Sequence, residues 1–321
     1  MSRTQAATLI ATGRVAVGGR QERAAFRPKP GEHITVDVPA PRRRTILPEA
    51  IPLRIAYEDA DLVVVDKAAG MVVHPAPGHW AGTLVNALLG RREGSAEAAP
   101  GAWADRAGLI HRLDKETSGL LLVAKTERAH RRLTADLGQR RIQRYYAVLA
   151  WGHLDEDHQT IENPIGRDPR DRKRMAVVST GRPARTDVVR LARFDSVDLL
   201  RARLATGRTH QIRVHLASAG HPVVGDETYG GGGGRRLVAL PPHRHFLHAA
   251  WLRLQHPISG EVMDLRSPLP ADLQTSLAEV AGGAPVVERG RGIAGQTAVI
   301  DPAEATGASL ELLGFYDLGQ Q

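Results

Sequence analysis

GLIHRLDKETSGLLLVAKT, residues 108–126, sets one carboxylate, Asp114, among cations between two apolar runs. The run Gly119-Leu120-Leu121-Leu122-Val123-Ala124 predicts a buried strand, and the turn-forming residues from Asp114 to Ser118 predict a loop at its mouth. An acid held there beside Arg112 stays ionised, because a neighbouring opposite charge favours the charged form. Such a carboxylate can serve as nucleophile or as base.

Outward from this stretch, between about Ile51 and Asp272, strand-like runs (62–65, 120–123, 145–149, 200–204) alternate with helix-like ones (83–89, 127–137, 209–219). No regular strand-helix-strand repeat links them. The pattern predicts an α+β fold with a mixed, mostly antiparallel, extended sheet and flanking helices. Ahead of it, residues 2 to about 13 predict a helix, followed by short strands around a Gly18-Gly19 turn that reach Val38. Residues 41–50, with Arg42-Arg43-Arg44, read as a basic, proline-rich linker. The five glycines 230–234 lack the spacing and the trailing Lys-Ser/Thr of a phosphate-cradling loop, so a flexible surface loop is expected. The segment 281–321, rich in Gly and Ala, is expected to be a flexible tail.

Composition narrows the function. The 321 residues include no cysteine, which excludes disulfides, thiolate metal sites and cysteine nucleophiles. No apolar run approaches a membrane span and no signal peptide opens the chain, so a cytoplasmic protein without membrane partners is expected. The formal charge of +8 favours a polyanionic partner. That charge sits at the front: residues 1–50 carry nine Lys and Arg against four Asp and Glu, while residues 281–321 carry two against five. No dinucleotide or P-loop motif is present, and the histidines lack a matching carboxylate pattern, so neither cofactor nor metal is expected.

HRLDKETSGLLLVAKT resembles the catalytic signature of the RluA/RluD family of pseudouridine synthases. GRTHQIRVHLASAGHPVVGDETYG, residues 207–230, is similar to the second strong family signature, and LVVVDKAAGMVVHP and GTLVNALL resemble its upstream part. Ala68 stands where the family often has proline. The likeness covers roughly residues 1–275 and is nearest to the branch acting on large-subunit ribosomal RNA. It implies a catalytic domain over 51–275 with a central cleft, preceded in 1–40 by part of an α-L RNA-binding module.

The resemblance also implies roles. Asp114 is the essential residue, with its target on sugar or base left open. Arg112 fills the space of an everted uridine or holds nearby phosphate. Tyr145 matches the tyrosine of a Lys-x-Tyr-x-Ala pattern, with Gln143 in place of lysine, and stacks on the uracil; Tyr146 is expected on the opposite face. Arg213 pairs with Asp114, while Arg208 and His210 shape the site. Arg170, Arg172 and Lys173 of a basic loop, and Arg3, Arg14 and Arg20 of the front module, are candidates for RNA backbone contacts. A monomeric, cofactor-free isomerase acting on ribosomal or transfer RNA is expected; the competing readings are a non-catalytic RNA-binding or ribosome-assembly factor and a cofactor- or metal-dependent enzyme.

Overall fold

The computed structural model describes residues 3–39, 45–76, 78–91, 108–234, 238–282 and 309–318. Arg42, Arg43 and Arg44 of the expected linker lie outside them. The chain divides into two compact units, Met1–Thr45 and Ile46–Gln321. In the first, helix α1 (Arg3–Ala11) precedes strands β1 (Val15–Val17), β2 (Arg20–Gln21) and β3 (Ile34–Val36), paired antiparallel in the order β2-β1-β3. Gly18 and Gly19 turn the chain between β1 and β2 at φ of 55° and 83°, a region that side chains resist. No residue of 3–39 is buried.

The second unit is built on a nine-stranded sheet. Its elements in chain order are β4 (Arg54–Glu58), β5 (Leu62–Lys67), α2 (Leu84–Gly90), β6 (Ser118–Ala124), α3 (Glu127–Gly138), β7 (Gln143–Trp151) and β8 (His158–Ile161). A separate hairpin of β9 (Ile165–Arg167) and β10 (Met175–Val177) follows, then β11 (Thr186–Arg193), β12 (Val197–Leu204) and α4 (Gln211–Ser218). The order closes with β13 (Leu247–Gln255), β14 (Val262–Arg266), α5 (Ala271–Gly282) and α6 (Ser309–Leu312). Strand order is β4-β5-β6-β13-β7-β12-β11-β8, with β14 beside β13. Every pairing in this sheet is antiparallel except β6 with β13, where Ser118 lies opposite His248 and Gly119 opposite Ala249.

Both faces of the sheet are covered, which is why its strands read as continuous apolar runs rather than alternating ones. Val63, Val65, Leu121, Val123, Tyr146 and Val148 face one side, where Leu113 and Ile212 and Leu216 of α4 pack on them. Leu62, Val64, Leu120 and Leu122 face the other, under Ala129 and Leu133 of α3. Tyr145, Ala147 and Leu149 share that second side with Phe246, Trp251, Leu273, Leu277 and Phe315.

Two expectations are corrected here. The glycine run is not a flexible loop at its start: Gly231 opens a 3-10 turn, donates to Asp226 O (2.8 Å) and accepts from Gly225 N and Trp151 Nε1 (both 2.9 Å). A Cβ on Gly231 would lie 1.7 Å from Val223 O, so glycine is required by close packing rather than by mobility. Nor is the whole tail loose. Residues 309–318 bury Leu310 and Phe315 completely, and their carbonyls at Gly314, Phe315 and Asp317 accept from Arg201 Nη1. A partly apolar segment docks because β7 and β13 leave an apolar surface there, information that the segment's own composition does not carry.

Candidate active site

The loop from Asp114 to Thr117 enters β6 through Gly119, whose φ is 107° and whose Cβ would lie 2.3 Å from Ala249 O. Only glycine lets β6 approach β13 this closely, and the approach fixes the loop above it. Two buried cations hold the loop by its backbone. Lys67 Nζ donates to the carbonyls of Ala68 (2.7 Å), Met71 and Lys115 (both 3.0 Å). Arg244 donates to Glu116 O and Ser118 Oγ while its Nε meets Asp272 Oδ2 at 2.8 Å. Burial, aided by the Arg244 charge, pushes the Lys67 ammonium down to about 7. Neither cation was singled out from sequence, although a lysine closing the run LVVVDK was the available signal.

Asp114 is half-buried. Its Oδ2 accepts from Arg213 Nη1 at 3.1 Å, and His210 Nε2 lies 4.0 Å from Oδ1. Arg213 is anchored in turn by a bidentate pair to buried Asp226, Nε to Oδ2 at 2.6 Å and Nη2 to Oδ1 at 2.9 Å. Asp226 Oδ1 also accepts the backbone N–H of Thr228 (3.0 Å) and Tyr229 (3.2 Å). Burial opposes the Arg213 charge, but the hydrogen bonds and charges of Asp226 and Asp114 outweigh it and raise its pKa. A guanidinium gripped by one carboxylate and presented to another is a rigid device for orienting the second.

Helix α4 delivers these groups. Ile212 and Leu216 anchor it on the sheet, and Gln211 locks its start, accepting from Thr206 Oγ1 (2.7 Å) and Arg208 N (3.0 Å) and donating to Arg185 O (2.9 Å). His210 caps the helix at φ 57° and shares a 2.8 Å hydrogen bond with the Tyr229 hydroxyl. Burial, the largest cause, and Arg213 lower its pKa against the pull of Asp114, so His210 is neutral at pH 7.

Arg112 is exposed at the mouth and forms no ion pair with Asp114, though its charge reaches His210. Arg208 turns away, donating from Nε to Pro183 O at 3.0 Å, and no hydrogen bond among the described residues joins it to Asp114. Tyr145 is a correction. It lies on the opposite face of the sheet, stacked on Trp251 at 4.5 Å and 25°, with its hydroxyl donating to Gln143 Oε1. Tyr146 is the tyrosine on the Asp114 face: burial raises its pKa, Arg144 lowers it and Asp114 raises it. The Lys-x-Tyr pattern is met one residue later, by Arg144 and Tyr146, and a slip of one residue exchanges the faces of a strand.

Arg170, Arg172 and Lys173 are exposed on the β9–β10 hairpin. In the first unit Arg3 and Arg20 are exposed and Arg14 pairs with Asp37 at 2.6 Å. The histidines are held by protein groups: His215 by Thr186 and Asn163, His248 by Ser118 and Ser267, His245 by Thr117. Asp59, Asp61 and His256 form the one cluster with metal-ligand spacing among the described residues. Nδ1 of His256 accepts from Ser259 N (3.0 Å) and Ile258 N (3.3 Å), so Nε2 carries the proton it donates to Asp59 (2.8 Å) and has no lone pair to offer a metal.

Residues 61–218 match the RNA pseudouridylate synthase family. An uncharacterized RNA pseudouridine synthase of Chloroflexus aurantiacus is 49% identical over 280 residues, covering 87% of this chain and 86% of the relative. The ribosomal large subunit pseudouridine synthase D of Zymomonas mobilis is 42% identical, covering 85% and 88%. Among solved structures, human RNA pseudouridylate synthase domain containing 1 superposes with a TM-score of 0.53 at 32% identity, covering 69% of this chain and 85% of that one.

Proposed function

This chain belongs to the RNA pseudouridylate synthase family, and from that premise we propose that it modifies large-subunit ribosomal RNA with Asp114 as the reacting carboxylate. The enzyme is an isomerase that converts uridine in RNA to pseudouridine. The reaction breaks the bond from ribose C1′ to uracil N1 and forms one from C1′ to C5; the C5 proton leaves and N1 gains one, so atoms and electrons balance without a donor. Support for the ribosomal target comes from similar ribosomal large subunit pseudouridine synthases D, such as those of Nitrosomonas europaea and Zymomonas mobilis.

The observation that carries the assignment of Asp114 is the chain Asp226–Arg213–Asp114. Asp226 grips Arg213 through two hydrogen bonds, so Arg213 presents a fixed donor that orients the Asp114 carboxylate. Asp114 then supplies an electron pair to an everted nucleoside. Tyr146 offers its ring to the uracil from the sheet face beside Asp114, and Arg112 at the mouth occupies the gap left in the RNA. Neutral His210 keeps its bond to Tyr229 without adding a second cation beside the carboxylate.

Asp114→Asn removes the charge with little change in shape. Incubated with an unmodified large-subunit ribosomal RNA transcript, the variant should form no pseudouridine while binding the transcript with wild-type affinity, read by nucleoside mass analysis and filter binding. Turnover by the variant would overturn the role of Asp114, and wild-type protein that modifies only transfer RNA would overturn the substrate.

A further inference from the structure

We propose that Arg174 is a phosphodiester-binding residue beside the reaction centre, holding the RNA backbone next to the target nucleotide; this rests on the RNA-modifying reading above. The loop between β9 and β10 carries Arg170, Arg172 and Lys173 exposed at its tip, whereas Arg174, the residue before β10, is half-buried. Its guanidinium carbon lies 5.2 Å from the centroid of the Tyr229 ring, and that of Arg213 lies 5.1 Å from the same centroid. The Tyr229 hydroxyl accepts from Met175 N at 3.1 Å and bonds His210 at 2.8 Å. Met175 and Val177 pack with Ile165, Ala184, Val214 and Tyr229. The base of the hairpin is therefore fixed to the same ring that touches Arg213 and His210, the two basic residues within 4.0 Å of the Asp114 carboxylate.

The two guanidiniums differ in their partners. Arg213 has two carboxylates; Arg174 has none, its guanidinium makes no hydrogen bond among the described residues, and its Nε is buried without a partner. The acids of the same loop are committed elsewhere: Asp168 Oδ1 accepts Arg170 N (2.8 Å) and Asp171 Oδ1 accepts Lys173 N (2.9 Å). Withdrawing a guanidinium from water without an anion is costly, and contact with a tyrosine ring returns only part of that cost. The guanidinium has no hydrogen-bonding protein partner among the described residues, and a planar fork of guanidinium donors matches a phosphate oxygen pair. In this enzyme's substrate class the available anion is the phosphodiester, and Arg174 reaches the same ring as Arg213.

The test compares Arg174→Gln with Arg128→Gln in the full chain, by equilibrium competition with a uridine-centred RNA pentanucleotide and with an unmodified large-subunit ribosomal RNA transcript. Arg174→Gln should bind the pentanucleotide about tenfold more weakly, the loss of one charged hydrogen-bonding contact. On the transcript its logarithmic salt dependence should be shallower by about one. Arg128→Gln should leave the pentanucleotide unaffected, because Arg128 is exposed on α3, which packs on the sheet face opposite Asp114. Wild-type affinity of Arg174→Gln for the pentanucleotide, or an equal loss in Arg128→Gln, would overturn the proposal; so would lowered thermal stability with unchanged affinity. Arg174→Met, which keeps the packing stem, carries the same test if the glutamine variant fails to fold. Binding is read without turnover, so a negative result here leaves the Asp114→Asn experiment standing, and the reverse also holds.

Discussion

Tyr145 and Tyr146 are chemically the same and one residue apart, yet the sheet gives them opposite surroundings. Tyr145 is a packing residue against Trp251 and Arg201; Tyr146 is buried beside Leu113 and under the field of Asp114. Tyr145→Phe therefore keeps wild-type turnover and costs only the weak bond to Gln143. Tyr146→Leu removes a ring from the base-facing side, and steady-state kinetics should show kcat/KM reduced tenfold or more, the scale of about 1–3 kcal/mol for one base–aromatic stack. Equal effects of the two substitutions would contradict this division. Asp114, Arg213 and His210 were legible in sequence because long motifs carried them. The tyrosine was not, since two adjacent tyrosines followed by the apolar run Ala147–Trp151 give no alternation from which to read a face. Arg244, Lys67 and Asp226 were missed for another reason: their roles are contacts between segments far apart in the chain, to which local sequence is blind.

At the scale of elements, the α+β class and the mixed sheet were readable from the alternation of runs, and α4 from its stop signals at Gly220 and Pro222. The order of the segment 309–318 was not legible, because it comes from the surface that receives it. Phe315 is fully buried against α5, β7 and β13, and three carbonyls around it satisfy Arg201. Phe315→Ala should destabilise the second unit by about 3–5 kcal/mol, the cost of truncating a buried phenyl ring. Urea unfolding measures this, and a loss below 1 kcal/mol would show the segment to be dispensable. Turnover at low temperature should persist, since the segment covers the sheet face opposite Asp114.

The whole molecule buries several neutral histidines. His111 is pushed down to about 3, by burial first and then by Arg144; His248 is pushed down to about 4, by burial first; and His245 lies well below its usual value, burial again leading. Unfolded, each takes up a proton near 6.5. Between that value and the lower folded ones the unfolded state binds more protons, so stability falls as pH drops below about 6.5, by about 1.4 kcal/mol per pH unit for each such histidine. Urea midpoints from pH 7.5 to 5 should decline accordingly, and a flat profile would refute the neutral assignment. His248→Asn, which preserves polar contacts to Ser118, should flatten part of the slope.

The lone parallel pairing in the second unit joins Ser118 and Gly119 to His248 and Ala249, with β13 wedged between β6 and its sequence neighbour β7. The floor beneath Asp114 thus comes from residues about 130 positions downstream. During synthesis the motif-bearing segments emerge first and wait, and contacts between such distant segments close late. A nascent chain that already displays Asp114 and Arg213 therefore lacks the strand that fixes their loop until β13 pairs with β6.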